Sequence, residues 1–162
     1  MPILDDVEAF IVNNVPEVAG YGIQKSYKSN SPDRQIVIYE TLGDLPPETT
    51  MDVDYPSFQV QIRGQKFDYP ATRTVAFAIY RALQTTSLVD LDVSPPSYYV
   101  YCYATQSGLM HIGNDQNERP EFVLNYRTMR TIAVLTSNLK VLLKADGTVF
   151  TTANGRVLVR SA

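Results

Sequence analysis

Near the start of the chain, apolar residues recur at three- and four-residue steps: Leu4, Val7, Phe10, Ile11 and Val15. This spacing predicts a short amphipathic helix, opened by Pro2, supported by Asp5 and Asp6 in its first turn and stopped by Pro16. A turn follows at Gly20–Tyr21–Gly22. In Arg34–Glu40 the period changes to two, with Ile36 and Ile38 on one face and Val37 and Tyr39 on the other, as in a strand. Ser57–Arg63 is the cleanest alternation in the chain, Phe58, Val60 and Ile62 against Gln59, Gln61 and Arg63. A second helix is expected from Pro70, its stripe of Ala71, Val75, Ile79, Ala82 and Leu83 lying on a sheet. Successive helical residues turn by about 100°, so Phe77 points away from that stripe, among Arg73, Tyr80, Arg81 and Gln84.

Further along, Ser97–Thr105 sets Tyr98, Val100, Cys102 and Ala104 against Tyr99, Tyr101 and Tyr103. Gln106–Gly108 reads as a turn into a strand at Leu109–Ile112, and Asn114–Glu118 as a loop before a strand at Phe122–Arg130. Segregated helices beside such strands predict an α+β fold, a two-layer sandwich of a mostly antiparallel sheet with two helices on one face. Residues 1–136 are expected to form this domain. Beyond it, Leu139–Lys144, Thr148–Thr152 and Arg156–Arg160 are separated by Asp146–Gly147 and Asn154–Gly155, strong hairpin signals, and predict a C-terminal β-meander over 137–162. A meander of that size is too small to stand alone and is expected to pack on the main sheet or on a neighbouring chain.

Charge adds an asymmetry to this picture. The whole chain of 162 residues carries −3, but residues 1–118 hold 7 basic and 15 acidic groups and residues 119–162 hold 7 and 2, so the two parts carry −8 and +5. Opposed charge on one subunit favours head-to-tail contacts, which close into rings when the rotation allows. The net acidic balance argues against gripping nucleic acid, whose affinity rests on neutralised phosphates. The segment Thr41–Pro56 reads as a long loop with three prolines and an acidic block, Glu40, Asp44, Glu48, Asp52 and Asp54, with no basic residue between Arg34 and Arg63. Too few apolar groups occur there to offset its ordering entropy, so it is expected to order only on assembly or along a channel. No stretch of 18 apolar residues and no basic start followed by an apolar run occurs, so neither a membrane span nor a secretory signal is expected.

Candidate chemistry is sparse. The single cysteine, Cys102, excludes an internal disulfide, and the single histidine, His111, excludes a zinc site of the usual Cys/His kind. Cys102 shares the alternation of Val100 and Ala104 and reads as a small buried hydrophobe. The acidic pairs Asp52/Asp54, Asp90/Asp92 and Asp115/Glu118 lack the glycine-punctuated loop of a specific calcium site. Phosphate-cradling glycine motifs and the nucleophile elbow are absent. No cofactor or metal is expected. Tyr99, Tyr101 and Tyr103 could stack bases, but their sequence neighbours are not basic, and a tyrosine face covered by other protein is the better reading. Phe77, Tyr80, Arg73 and Arg81 make a second candidate interface, and Asp44, Glu48, Asp52 and Asp54 a candidate channel or partner loop.

Four stretches, QIVIYETLG from Gln35, YPSFQVQIRG from Tyr55, the helix opening near Tyr69 with its apolar run to Leu83, and GNDQNERPEFVLNY from Gly113, occur in this order. Together they resemble the minor capsid and tail terminator, or tail completion, proteins of long-tailed bacteriophages, over roughly residues 3 to 130. The resemblance implies an α+β subunit of the virion that forms a ring, commonly a hexamer, at the head-proximal end of the tail. It further implies that the ring stops tail-tube polymerisation and joins the tail to the head connector, with DNA passing through it and no catalytic residue. The implied partners are other copies of the chain, the tail tube protein and the head–tail connector. Another head–tail connector, a head completion protein or a tail tube protein would differ in stack position rather than in chemistry. A ligand-binding or hydrolytic α+β domain using the acids near Asp90 and Asp92 is the alternative of another class.

Overall fold

Pro2 and Asp5 stand in the first turn of α1 (Pro2–Asn14), where a missing N–H costs nothing and negative charge meets the positive end of the helix. Ile3, Leu4, Val7 and Ile11 are buried along one side. Pro16 ends the helix and begins a single 3-10 turn, Pro16–Val18. The computed structural model describes residues 2–43, 53–84, 97–132, 140–141 and 159–160.

Seven strands form one mixed sheet. They are β1 (Gly22–Lys25), β2 (Gln35–Thr41), β3 (Val53–Asp54), β4 (Ser57–Arg63), β5 (Ser97–Ala104), β6 (Met110–Asn114) and β7 (Pro120–Ile132). The spine is β7. One of its edges pairs with β4 over Glu121–Arg127 and then with β3 at Arg130 and Thr131. The other pairs with β6 near Pro120–Val123 and with β5 over Tyr126–Ile132. Beyond β4 lies β2, antiparallel to it, and then β1, parallel to β2. The class is therefore α+β, with a sheet antiparallel except at β1.

Alternate strand residues and both helices share one core. Ile36, Ile38, Phe58, Val60, Ile62, Phe122, Leu124, Tyr126 and Cys102 pack with the apolar side of α1 and with Val75, Ala76, Ile79 and Leu83 of α2 (Tyr69–Gln84). Burying each of the large side chains contributes about 1.5–3 kcal/mol, and the Phe58 and Tyr126 rings stack at 5.0 Å. The opposite side of the sheet carries a polar ladder, Gln59 donating to Asn125 at 2.8 Å and Gln61 to Glu121 at 3.0 Å.

Several expected boundaries move. In α2 the buried stripe is Thr72, Val75, Ala76, Ile79 and Leu83, while Ala71 is exposed. Thr72 replaces it because its hydroxyl returns to the Asp68 carbonyl at 2.6 Å, which removes the cost of burying a polar group. The expected loop Thr41–Pro56 is shorter at both ends: Thr41 closes β2 and Val53–Asp54 forms β3. The strand expected at Leu109–Ile112 runs Met110–Asn114, and that expected at Phe122–Arg130 extends to Pro120–Ile132. At the C-terminus β8 (Lys140–Val141) pairs antiparallel with β9 (Val159–Arg160), directly joining segments expected as first and third strands of a meander. The turns at Asp146–Gly147 and Asn154–Gly155 lie outside the described residues, as do Asp90 and Asp92.

Candidate functional site

The outer side of α2 gathers three of the expected interface residues. Helical steps of three and four bring Tyr80 and Arg81 to Phe77. The Phe77 and Tyr80 rings lie 6.4 Å apart at 20°, and the Arg81 guanidinium stands 5.9 Å from the Phe77 centroid. Phe77 remains 44% exposed, so it points away from the core as the helical spacing requires, with Tyr80 and Arg81 as the neighbours that spacing implies. Arg73 is exposed one turn earlier. Tyr80 is anchored by its hydroxyl, which donates to the Gln106 carbonyl at 3.4 Å.

Tyr101 and Tyr103 of β5 form a separate surface. Cys102 faces the core, so Tyr101 and Tyr103 face the other side of the sheet, their rings 5.5 Å apart and Tyr103 41% exposed. Register shifts between Tyr99 and Tyr101, so Val100 is the bulged residue. Strand pairing also supplies the basic neighbours that linear sequence does not: Tyr99 stands opposite Arg130 and Tyr103 opposite Arg127. Arg130 is already engaged. Its Nε donates to Asp54 Oδ1 at 3.0 Å and its Nη2 pairs with Oδ2, so Asp54 is a strand residue in a two-pronged ion pair and not a loop carboxylate. Asp44, Glu48 and Asp52 lie outside the described residues.

A third cluster was not expected as a unit. At the end of the sheet where β4 stops and β7 starts, Arg119 is 3% exposed. Its Nε donates to Asp115 Oδ2 at 2.7 Å, and its Nη1 to the Asn30 carbonyl and to Asp33 Oδ1, each at 2.8 Å. Beside it Arg63, 2% exposed, donates to the Asp33 carbonyl at 3.1 Å and to that of Pro32 at 2.7 Å. Lys28 pairs with Glu121. The connection between the parallel strands β1 and β2 is thereby bound down onto β4 and β7. Burial works upward on the Asp115 carboxyl, but the Arg119 hydrogen bonds and the N–H groups of Arg119 and Asn117 outweigh it and hold the pKa below the ordinary 3.8. Burial lowers the pKa of Arg63, and the charge of Arg119 lowers it further. Arg63–Gly64 and the stretch from Asn114 to Glu121 both belong to the family-like segments, but nothing in the sequence joins one to the other.

From the same end projects Phe67, 72% exposed. Its φ is +61°, a conformation uncommon for a bulky residue. Its N–H donates to the Glu118 carbonyl at 3.2 Å, and Lys66, paired with the Glu118 carboxylate at 2.8 Å, lies 4.7 Å over its ring. The ring carries the Lys66 ammonium over one face and is otherwise offered to solvent.

Among the described residues reactive chemistry does not assemble. Burial pushes the Cys102 thiol up to about 12, far from a thiolate at neutral pH. The His111 ring packs at 5.0 Å from both Tyr69 and Phe122. Among the described residues no group of three or more His, Cys, Asp and Glu could hold a metal, and no helix is long and apolar enough to cross a membrane. The opposed charges of the two chain segments meet in part inside the subunit, as Arg119 with Asp33 and Asp115 and as Arg130 with Asp54.

Among known families, one described as bacteriophage tail terminator protein has a model that matches residues 23–132. No curated protein matches the chain.

Proposed function

Because the chain belongs to the bacteriophage tail terminator family, we propose that it is a non-catalytic virion protein that forms a ring, a hexamer, at the head-proximal end of the tail. The ring stops tail-tube polymerisation on one side and meets the head connector on the other. DNA passes through it without specific binding. The observation that carries this reading is the reach of the family match, which spans the sheet from β1 to β7 and the whole of α2. Phe77 with Tyr80, Arg73 and Arg81, Tyr101 with Tyr103, and the exposed Phe67 ring supply surface of the kind that anchors protein contacts. Asp44, Glu48 and Asp52 are assigned to the channel, where carboxylates repel phosphate within about one Debye length, roughly 8 Å at physiological salt; Asp54 is withdrawn from that role by Arg130.

Native mass spectrometry of the purified protein, together with electron microscopy of phage lacking it, tests the reading. Closed rings and overlong tails without heads are expected, with restoration when the protein is supplied. Tails of normal length joined to heads in its absence overturn the proposal, and an open polymer identifies a tube protein instead.

A further inference from the structure

Residues 26–34, between the parallel strands β1 and β2, cross the side of the sheet opposite the helices. Ser29 Oγ accepts from Gln24 of β1 at 3.1 Å and from Gln35 of β2 at 2.7 Å, and Lys28 pairs with Glu121 of β7. The segment is thus a strap that reaches over β4. On the same side Val37 and Val123 stand opposite Gln61 in the strand register, and both are buried, 1% and 7% exposed.

Side chains, not backbone, hold the strap down. Among the described residues its main chain bonds to other main chain only at the two ends, Ser26 N–H donating to the Ile38 carbonyl and Gly22 N–H to the Arg34 carbonyl. Between them the carbonyls of Asn30, Pro32 and Asp33 accept from the buried Arg119 and Arg63. Charge in this latch balances: Arg63, Arg119 and Lys28 are set among Asp33, Asp115 and Glu121. At the strap's ends Lys25 is held by Asp5 and Glu8 of α1, and Arg34 stands 3.5 Å from Asp68. Tyr39, beside Glu121, has its pKa raised by burial and by that carboxylate and stays protonated. Acid neutralises the carboxylates but leaves arginine and lysine charged, so three cations remain together with carbonyl oxygens as their partners.

We propose that residues 26–34 form an acid-released strap, which leaves the sheet as one unit while the rest of the fold stays closed and uncovers Val37 and Val123. Burial works upward on Asp115, but its bonds with Arg119 outweigh this and keep its pKa below 3.8, so the latch is complete above that value and fails below about pH 4. Opening stays local because the ladders of β2, β4 and β7 are backbone bonds that do not titrate.

The test reads side-chain access in full-length chains carrying Cys102→Ala. Val37→Cys reports the face beneath the strap, and Val60→Cys, from the core on the helix side, reports global opening. Each thiol is reacted with dithiodipyridine, which works in acid, and its rate is taken relative to the same chain in denaturant. From about pH 7 to about pH 3 the Val37→Cys thiol should gain access by tenfold or more while the Val60→Cys thiol stays protected. Asp115→Asn should raise Val37→Cys access about tenfold already at neutral pH, the effect of one lost charge-assisted hydrogen bond. Should Val37→Cys fail to fold, amide resonances of the unsubstituted chain make the same comparison, with residues 27–33 shifting in acid before residues 122–126. Access gained by both thiols together, or equal access of the Val37→Cys thiol in acid and at neutrality, overturns the proposal.

Discussion

Arg119 ties the β6–β7 loop to the β1–β2 connection with one guanidinium, which makes it the residue whose loss the fold should feel most at the sheet end. Arg119→Ala leaves Asp115 and the Asn30 carbonyl without their partner, and the expected destabilisation is about 2–4 kcal/mol, read by urea denaturation. Arg119→Lys should recover only part of it, because an ammonium cannot serve Asp115 and the Asn30 carbonyl with a planar fork. The partner carboxylate sets a pH dependence. Asp115 has a folded pKa below its unfolded 3.8, so it contributes stability above that value and loses it as pH falls through the folded value. The thermal midpoint should therefore drop below about pH 4, and Asp115→Asn should flatten that acid limb while lowering stability at neutral pH.

At the scale of elements, β4 and α2 meet through a glycine. A Cβ on Gly64 would lie 1.7 Å from Thr72 Oγ1 and 2.8 Å from its Cβ, and Thr72 cannot retreat while its hydroxyl and N–H are both bound to the Asp68 carbonyl. Gly64→Ala should cost about 3 kcal/mol or more by overpacking, measured as a shifted denaturation midpoint. The outer side of α2 responds differently. Phe77→Asp should keep the circular dichroism of the folded chain and weaken self-association by about 2 kcal/mol or more if the ring is an interface anchor; unchanged association by sedimentation rejects that role. Both helices and the strands β2, β4, β5 and β7 are legible in residue periodicity because each has a long apolar side. The strands β1 and β3 are not, having four and two residues and depending on a neighbour for pairing. The exchange of Ala71 for Thr72 is equally hidden, since only tertiary contact shows that a hydroxyl is satisfied.

Across the whole molecule, β7 is bonded on both edges for most of its length, and its central amides should exchange only by global opening. Hydrogen exchange should rank Phe122–Tyr126 slowest and β1 fastest among the strands; equal rates would show that the edge is protected by something beyond β2. Unlike the exposed Phe67, the surfaces around Phe77 and around Tyr101 with Tyr103 were readable from helical and strand spacing. The arginine cluster was not, because its members are 56 positions apart in sequence, 63 to 119, and converge only once β4 and β7 pair. One break in the ladder has a practical consequence. Between β5 and β6 the Gln106 carboxamide stands in for a peptide group, donating to the Val123 carbonyl at 2.8 Å and accepting the Asn125 N–H at 3.0 Å. Pairing is thus completed before Ser107 and Gly108, and a Cβ on Gly108 would meet nothing within 4 Å. The fold offers there a permissive insertion point, where an epitope or an electron-dense label could ride on each subunit and report by microscopy where in the virion the protein sits.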